Sequence, residues 1–102
     1  MIARVASFEG VNVDVAEQTM EEAASVIRPL VEGLAGYQGL LELVAPDGKV
    51  LSVTFFDSEQ SAQAAEPTFD QEMPQKLGDL YKDWEGRRVS VDRYKVLFDS
   101  RS

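Results

Sequence analysis

The sequence predicts an α+β domain in which four antiparallel strands carry two helices on one face. Three observations lead there. First, Tyr37 to Ser58 reads as a β-hairpin: apolar runs Leu40 to Ala45 and Val50 to Phe56 flank Pro46-Asp47-Gly48. Proline presets φ for a turn, and glycine accepts the positive φ of a tight reversal. Second, an alternating segment and a helix-periodic segment precede the hairpin. Third, a second helix-periodic region and a last alternating segment follow it. The order β-α-β-β-α-β is the split βαβ, or ferredoxin-like, pattern, with expected strand order 4-1-3-2.

Ile2 to Glu9 alternates and stops at Gly10, with Ala3, Val5 and Ser7 on one face and Arg4, Ala6 and Phe8 on the other. Asp14 is the expected N-cap of a helix from Val15 to about Ala35. Ala16, Met20, Ala23, Ala24, Ile27, Leu30, Val31 and Leu34 recur there at spacings of three and four. Pro29 should kink this helix, and Gly33 and Gly36 mark its end. In the hairpin's second strand Leu51, Val53 and Phe55 form the more apolar set, expected to face the helices; Ser52, Thr54 and Phe56 form the other.

Ser58 should cap the next helix over residues 59–66. Pro67 interrupts it, Thr68 can cap a fresh start, and Met73, Leu77, Leu80, Tyr81 and Trp84 form one stripe headed by Phe69. Two helical pieces with a bend are therefore expected, Pro74 lying near the first turn of the second. Gly86 should end it, and Val89 to Phe98 is the last strand. Residues 1–98 make one domain, with a short polar, frayed tail at 99–102.

Composition removes whole classes of chemistry. The chain has no cysteine and no histidine. Disulfides, thiolate nucleophiles, the Ser-His pair, the commonest zinc ligand and the usual proximal haem ligand are therefore excluded. No metal, haem, flavin or nucleotide cofactor is expected, since no carboxylate spacing suggests an oxygen-ligand site. Eighteen acids against ten bases give a net charge of −8, which disfavours nucleic acid by phosphate repulsion. Arg87, Arg88, Arg93 and Lys95 cluster late in the chain; bases of a strand facing acids of the helices are the simpler reading. No apolar run suggests a signal peptide or a membrane span, so a cytoplasmic protein is expected.

Two motifs carry a family resemblance. Gly36-Tyr37-x-Gly39 enters the second strand, and Phe56-Asp57-Ser58-Glu59 closes the third. With VSVDRYKV near the C-terminus, these segments resemble the dimeric α/β-barrel superfamily over nearly the whole chain, nearest to antibiotic-biosynthesis-monooxygenase-like (ABM) domains. The resemblance implies a homodimer through the sheet face opposite the helices and a cavity between sheet and helices. It brings cofactor-free quinone-forming monooxygenases, haem-degrading enzymes and members without known activity. The haem-degrading pattern needs a histidine, absent here, and many members carry Trp where Phe56 stands.

Two functional readings follow. One is a cofactor-independent monooxygenase on a small aromatic or polyketide-like substrate, with Arg or Tyr stabilising a substrate anion while O₂ reacts. The other is a non-catalytic dimer that binds a small hydrophobic or aromatic ligand, or only assembles. The first expects polar groups converging in a pocket of several hundred Å³, the second an apolar or collapsed pocket. The candidate lining is Phe69, Met73, Leu77 and Tyr81 from the second helical region, with Arg4, Glu42, Thr54, Phe56, Arg93 and Tyr94 from the sheet. An Arg4–Glu42 pair across the sheet is the plainer role for those two charges, and core packing the plainer role for the aromatics. The outward set of Ser52, Thr54, Phe56 and Phe8 is the expected dimer surface.

Overall fold

The computed structural model describes residues 1–101. Strand β1 (Ile2–Glu9) leads to helix α1 (Val13–Glu32), the hairpin β2 (Tyr37–Val44) and β3 (Val50–Phe56), then helix α2 (Glu59–Ala64). A π-helical turn (Thr68–Glu72), helix α3 (Met73–Trp84) and strand β4 (Arg87–Lys95) complete the chain. The sheet is antiparallel throughout, in the order β2-β3-β1-β4, which is the expected topology.

Local sequence explains most boundaries. Ser58 caps α2 by accepting a hydrogen bond from the Ser61 amide at 3.1 Å. Asn12, not Asp14, caps α1: its Oδ1 accepts from the Val15 amide, so the helix starts two residues earlier than expected. That helix continues through Pro29, whose exposed ring lies in the last turns, where few backbone bonds remain to be broken. Thr68 is not a cap; it is buried inside the π turn, and Pro74 occupies the first turn of α3. Glu85, at φ 65°, takes the left-handed position expected of Gly86. Gly36 has φ 75°, and a Cβ there would collide with the side chains of Asp57 and Ser61, while its carbonyl accepts from the Asp57 amide. The two resemblance motifs thus meet in a packing contact.

The sheet faces are the reverse of the expected assignment. Thr54 and Phe56 are fully buried against the helices, with Phe56 edge-on to Phe69 at 6.4 Å. Leu51, Val53 and Phe55 lie on the open face. Phe8 likewise points inward and packs against Val11, Ala16 and Val50. Hydropathy could not set the phase, because the helix side holds polar groups in a cavity and the open side is itself apolar. Leu41, Leu43, Val89 and Tyr94 are large and exposed; Leu41 and Tyr94 follow the outward register of Val53 and Ala3. Of the expected frayed tail, residues 99–101 make contacts, the Arg101 guanidinium lying 3.9 Å over the Phe55 ring and bonding Asp99, while Ser102 lies outside the described residues.

The main core lies between the sheet and the helices, built from Ala23, Ile27 and Val31 of α1, Phe56 of β3, Ala62 of α2, and Phe69, Met73 and Leu77. Among the described residues, no helix is long and apolar enough to cross a membrane.

Candidate active site

A cavity of about 310 Å³ lies between the sheet and the helices. β1 contributes Arg4, Ala6 and Phe8; the hairpin contributes Leu40, Glu42, Val50 and Ser52. The helical side supplies Ile27, Phe69, Met73, Tyr81 and Trp84, so the wall is mostly apolar and aromatic. Asp70, Pro74 and Arg88 also line it and are exposed, which marks its open side.

The backbone makes this space. The π turn carries an extra residue per turn and separates α2 from α3, so the helical layer cannot lie flat on the sheet. Phe69 and Met73, both buried, line it from the helical side.

Arg4 and Glu42 bring charged groups to the interior. Arg4 is only 1% exposed. Its Nε donates to Glu66 Oε1 at 2.9 Å and its second terminal nitrogen to Oε2 at 3.2 Å. Its guanidinium also lies 4.0 Å over the Phe69 ring. A bidentate carboxylate and an aromatic face are what a buried guanidinium requires. The expected Arg4–Glu42 pair does not form, because β3 lies between β1 and β2. Glu66, which sequence reasoning did not single out, takes the role from the segment just after α2.

Glu42 has no such cation among the described residues. Its Oε1 accepts from Ser52 Oγ at 2.7 Å, the two residues being register partners. Burial pushes its carboxyl up to about 7, although the Ser52 hydrogen bond opposes that rise. Burial also pushes the Tyr81 hydroxyl up to about 12, with the Glu42 charge adding to it. Tyr81 is therefore a neutral hydrogen-bonding group, and Glu42 is poised to exchange a proton near neutrality.

The other expected lining residues sit elsewhere. Thr54, Phe56 and Leu77 are fully buried core and do not reach the cavity. Thr54 Oγ1 has no hydrogen-bond partner among the described residues. Arg93 pairs with Glu59 of α2 at 2.8 Å. Tyr94 is 55% exposed, opposite Ala3 on the open face, so it belongs to the other side of the sheet. Phe8, Ser52, Trp84, Asp70 and Arg88 were missed as lining. The helical stripe already contained Trp84, and the alternation of β1 already put Phe8 with Arg4. Trp84 Nε1 donates to Thr19 Oγ1 at 2.7 Å, which fixes the indole at the wall. Arg88 pairs with Asp70 at 2.8 Å, and Arg93 with Glu59, as strand bases facing helix-side acids.

No protein-family model and no curated protein matches the sequence. Solved structures do match the fold. A protein of Bordetella bronchiseptica assigned as an antibiotic biosynthesis monooxygenase superposes with TM-score 0.69 at 16% identity, covering 95% of this chain and 97% of that one. A dimeric ferredoxin-like protein from an uncultured marine organism gives 0.68 at 15% identity, covering 97% of each. SnoaB, a cofactor-independent oxygenase from Streptomyces nogalater, gives 0.65 at 10% identity, covering 99% of this chain and 97% of that one. Several of the matched structures carry the name of the group that the sequence resembles, and at such identities the likeness establishes the fold alone.

Proposed function

We propose that this protein is a cofactor-independent monooxygenase for a small aromatic substrate with an acidic C–H or O–H, and that Glu42 is its general base. The observation that carries the reading is Glu42 itself: a carboxyl with no cationic partner, pushed up to about 7, lining an aromatic-walled cavity. A base of that strength deprotonates an activated aromatic at neutral pH, which an ordinary exposed carboxylate does poorly. The cavity is at the small end of ligand pockets, suited to a flat ligand of two or three rings.

The chemistry needs nothing beyond substrate and O₂. Glu42 takes a proton from the substrate, and the resulting carbanion or phenolate supplies electrons to O₂. A C–O bond forms, giving a hydroperoxide at the reacting carbon. Loss of that carbon's second proton and cleavage of the O–O bond release water and leave a carbonyl. One oxygen atom ends in product and the other in water. Ser52 and Tyr81 hold Glu42 and the substrate oxygen in place by hydrogen bonding, and the apolar walls limit bulk water around the anion.

Anthrone is a suitable probe. The purified protein, with no added metal or flavin, is expected to consume one O₂ per anthraquinone formed. Glu42→Gln should lower the rate by about 10²-fold or more. Uptake no faster than in buffer would end the enzyme reading; anthrone binding without uptake would favour the non-catalytic, ligand-binding one.

The second part of the proposal is a homodimer through the open sheet face. Exposed Leu41 and Tyr94, together with Val5 and Val53, form an apolar surface there, and a matched structure is named as dimeric. An interface of about 1,200–2,000 Å² is expected. Sedimentation equilibrium giving a monomer at high micromolar concentration would remove this part.

A further inference from the structure

Two backbone irregularities meet at the open side of the cavity. The first is in β4. Ser7 pairs with Ser90, but Phe8 pairs with Arg88, so one extra residue is inserted at Val89. Regular alternation from Val91 would turn Val89 inward and Arg88 outward. The bulge reverses this: Arg88 lines the cavity and Val89 is exposed. Bulges commonly re-aim a side chain beside a functional site. The second irregularity is the π turn, which carries Asp70 to the same place.

Arg88 differs from the other arginine of the cavity. Arg4 is buried and gives its Nε and one terminal nitrogen to the two oxygens of Glu66. Arg88, among the described residues, uses one terminal nitrogen on one Asp70 oxygen, and both side chains are more than two-fifths exposed. A one-point, solvated pair of this kind contributes little to stability, so it is readily exchanged. The unused donors of the guanidinium fit a second carboxylate.

We propose that Arg88 is a specificity-determining residue, selecting ligands that carry a carboxylate on the edge opposite the hydroxyl or acidic carbon presented to Glu42. The ligand class is therefore a hydroxylated aromatic acid, anchored at both ends of an apolar slot. Asp70 holds Arg88 in place when the cavity is empty and competes with the ligand for it. This inference rests on the cavity being the ligand site.

Trp84, the sole tryptophan, lines the cavity and reports occupancy by fluorescence quenching. Two probes separate the ideas: 2-naphthol and 6-hydroxy-2-naphthoic acid. The acid is expected to bind the wild-type protein about ten-fold more tightly than the naphthol. Arg88→Gln should erase that preference without weakening 2-naphthol. Asp70→Asn should strengthen the acid alone, by removing its competitor and a like charge. Equal binding of the two probes by wild type, or an Arg88→Gln loss shared by both, overturns the role of Arg88 and leaves the cavity reading intact. Quenching by neither probe overturns both.

Discussion

Two glutamates meet opposite electrostatic conditions: Glu42 lines the cavity, and Glu66 holds Arg4, which lines it. Glu66 grips the buried Arg4 with both oxygens. Glu42 receives one hydrogen bond from Ser52 and no cation, and its carboxyl rises to about 7. The first arrangement holds the fold together by satisfying a charge that is already buried. The second leaves a cost standing in the folded state, at the one place where a ligand could use it. A destabilised, titratable group in a cavity has a physical basis for being functional that a satisfied ion pair lacks.

The largest expected effect comes from breaking the satisfied pair. Glu66→Ala leaves Arg4 buried without its counter-charge and should lower stability by about 3–5 kcal/mol in urea unfolding. Replacing both partners by methionine should restore much of that loss, because the cost lies in the unpaired charge and not in the absent bridge.

Glu42 should respond in the opposite direction, and only at higher pH. The unfolded chain ionises it near the ordinary 4.5, the folded chain near 7. Folding therefore retains a proton between these values. The contribution of the neutral carboxyl is fully present below about 4.5 and is lost as pH rises through 7. Glu42→Gln, which mimics the neutral acid, should be nearly silent in stability at pH 4.5 and stabilising by up to about 3 kcal/mol at pH 8. Stability curves of the two proteins that run parallel across this range would contradict the contrast between the glutamates.

The smallest effect sharpens the same contrast. Ser52→Ala removes the hydrogen bond that lowers the Glu42 pKa, so the carboxyl should titrate higher still. Stability at pH 8 should fall by about 1 kcal/mol, with little change at pH 4.5.

The sequence made the architecture legible because its signals are local. The Pro46-Asp47-Gly48 turn, the Ser58 cap and the 3–4 spacing of α1 each act within a few residues. Face assignment failed because it depends on what lies across the sheet. Ser52 and Thr54 look like solvent-facing positions in isolation, yet they face the helices, where Glu42 and the cavity sit. The Arg4–Glu66 bond joins residues 62 apart in the chain, and no spacing rule announces it. Arg88 was hidden for a related reason: regular alternation points it outward, and only the bulge turns it in. Arg4, Glu42, Phe69, Met73 and Tyr81 were nonetheless named from the sequence, and they are the named candidates that the fold brings together around the cavity.

Burial holds the Glu42 carboxyl near neutrality, with no cation beside it among the described residues. A carbon-13 side-chain carboxyl titration of the folded protein by NMR tests it most directly. The Glu42 resonance should move with a midpoint near 7. A Glu42 midpoint near 4.5 would mean that water reaches the carboxylate freely, and both the electrostatic contrast and its role as a base at neutral pH would be wrong.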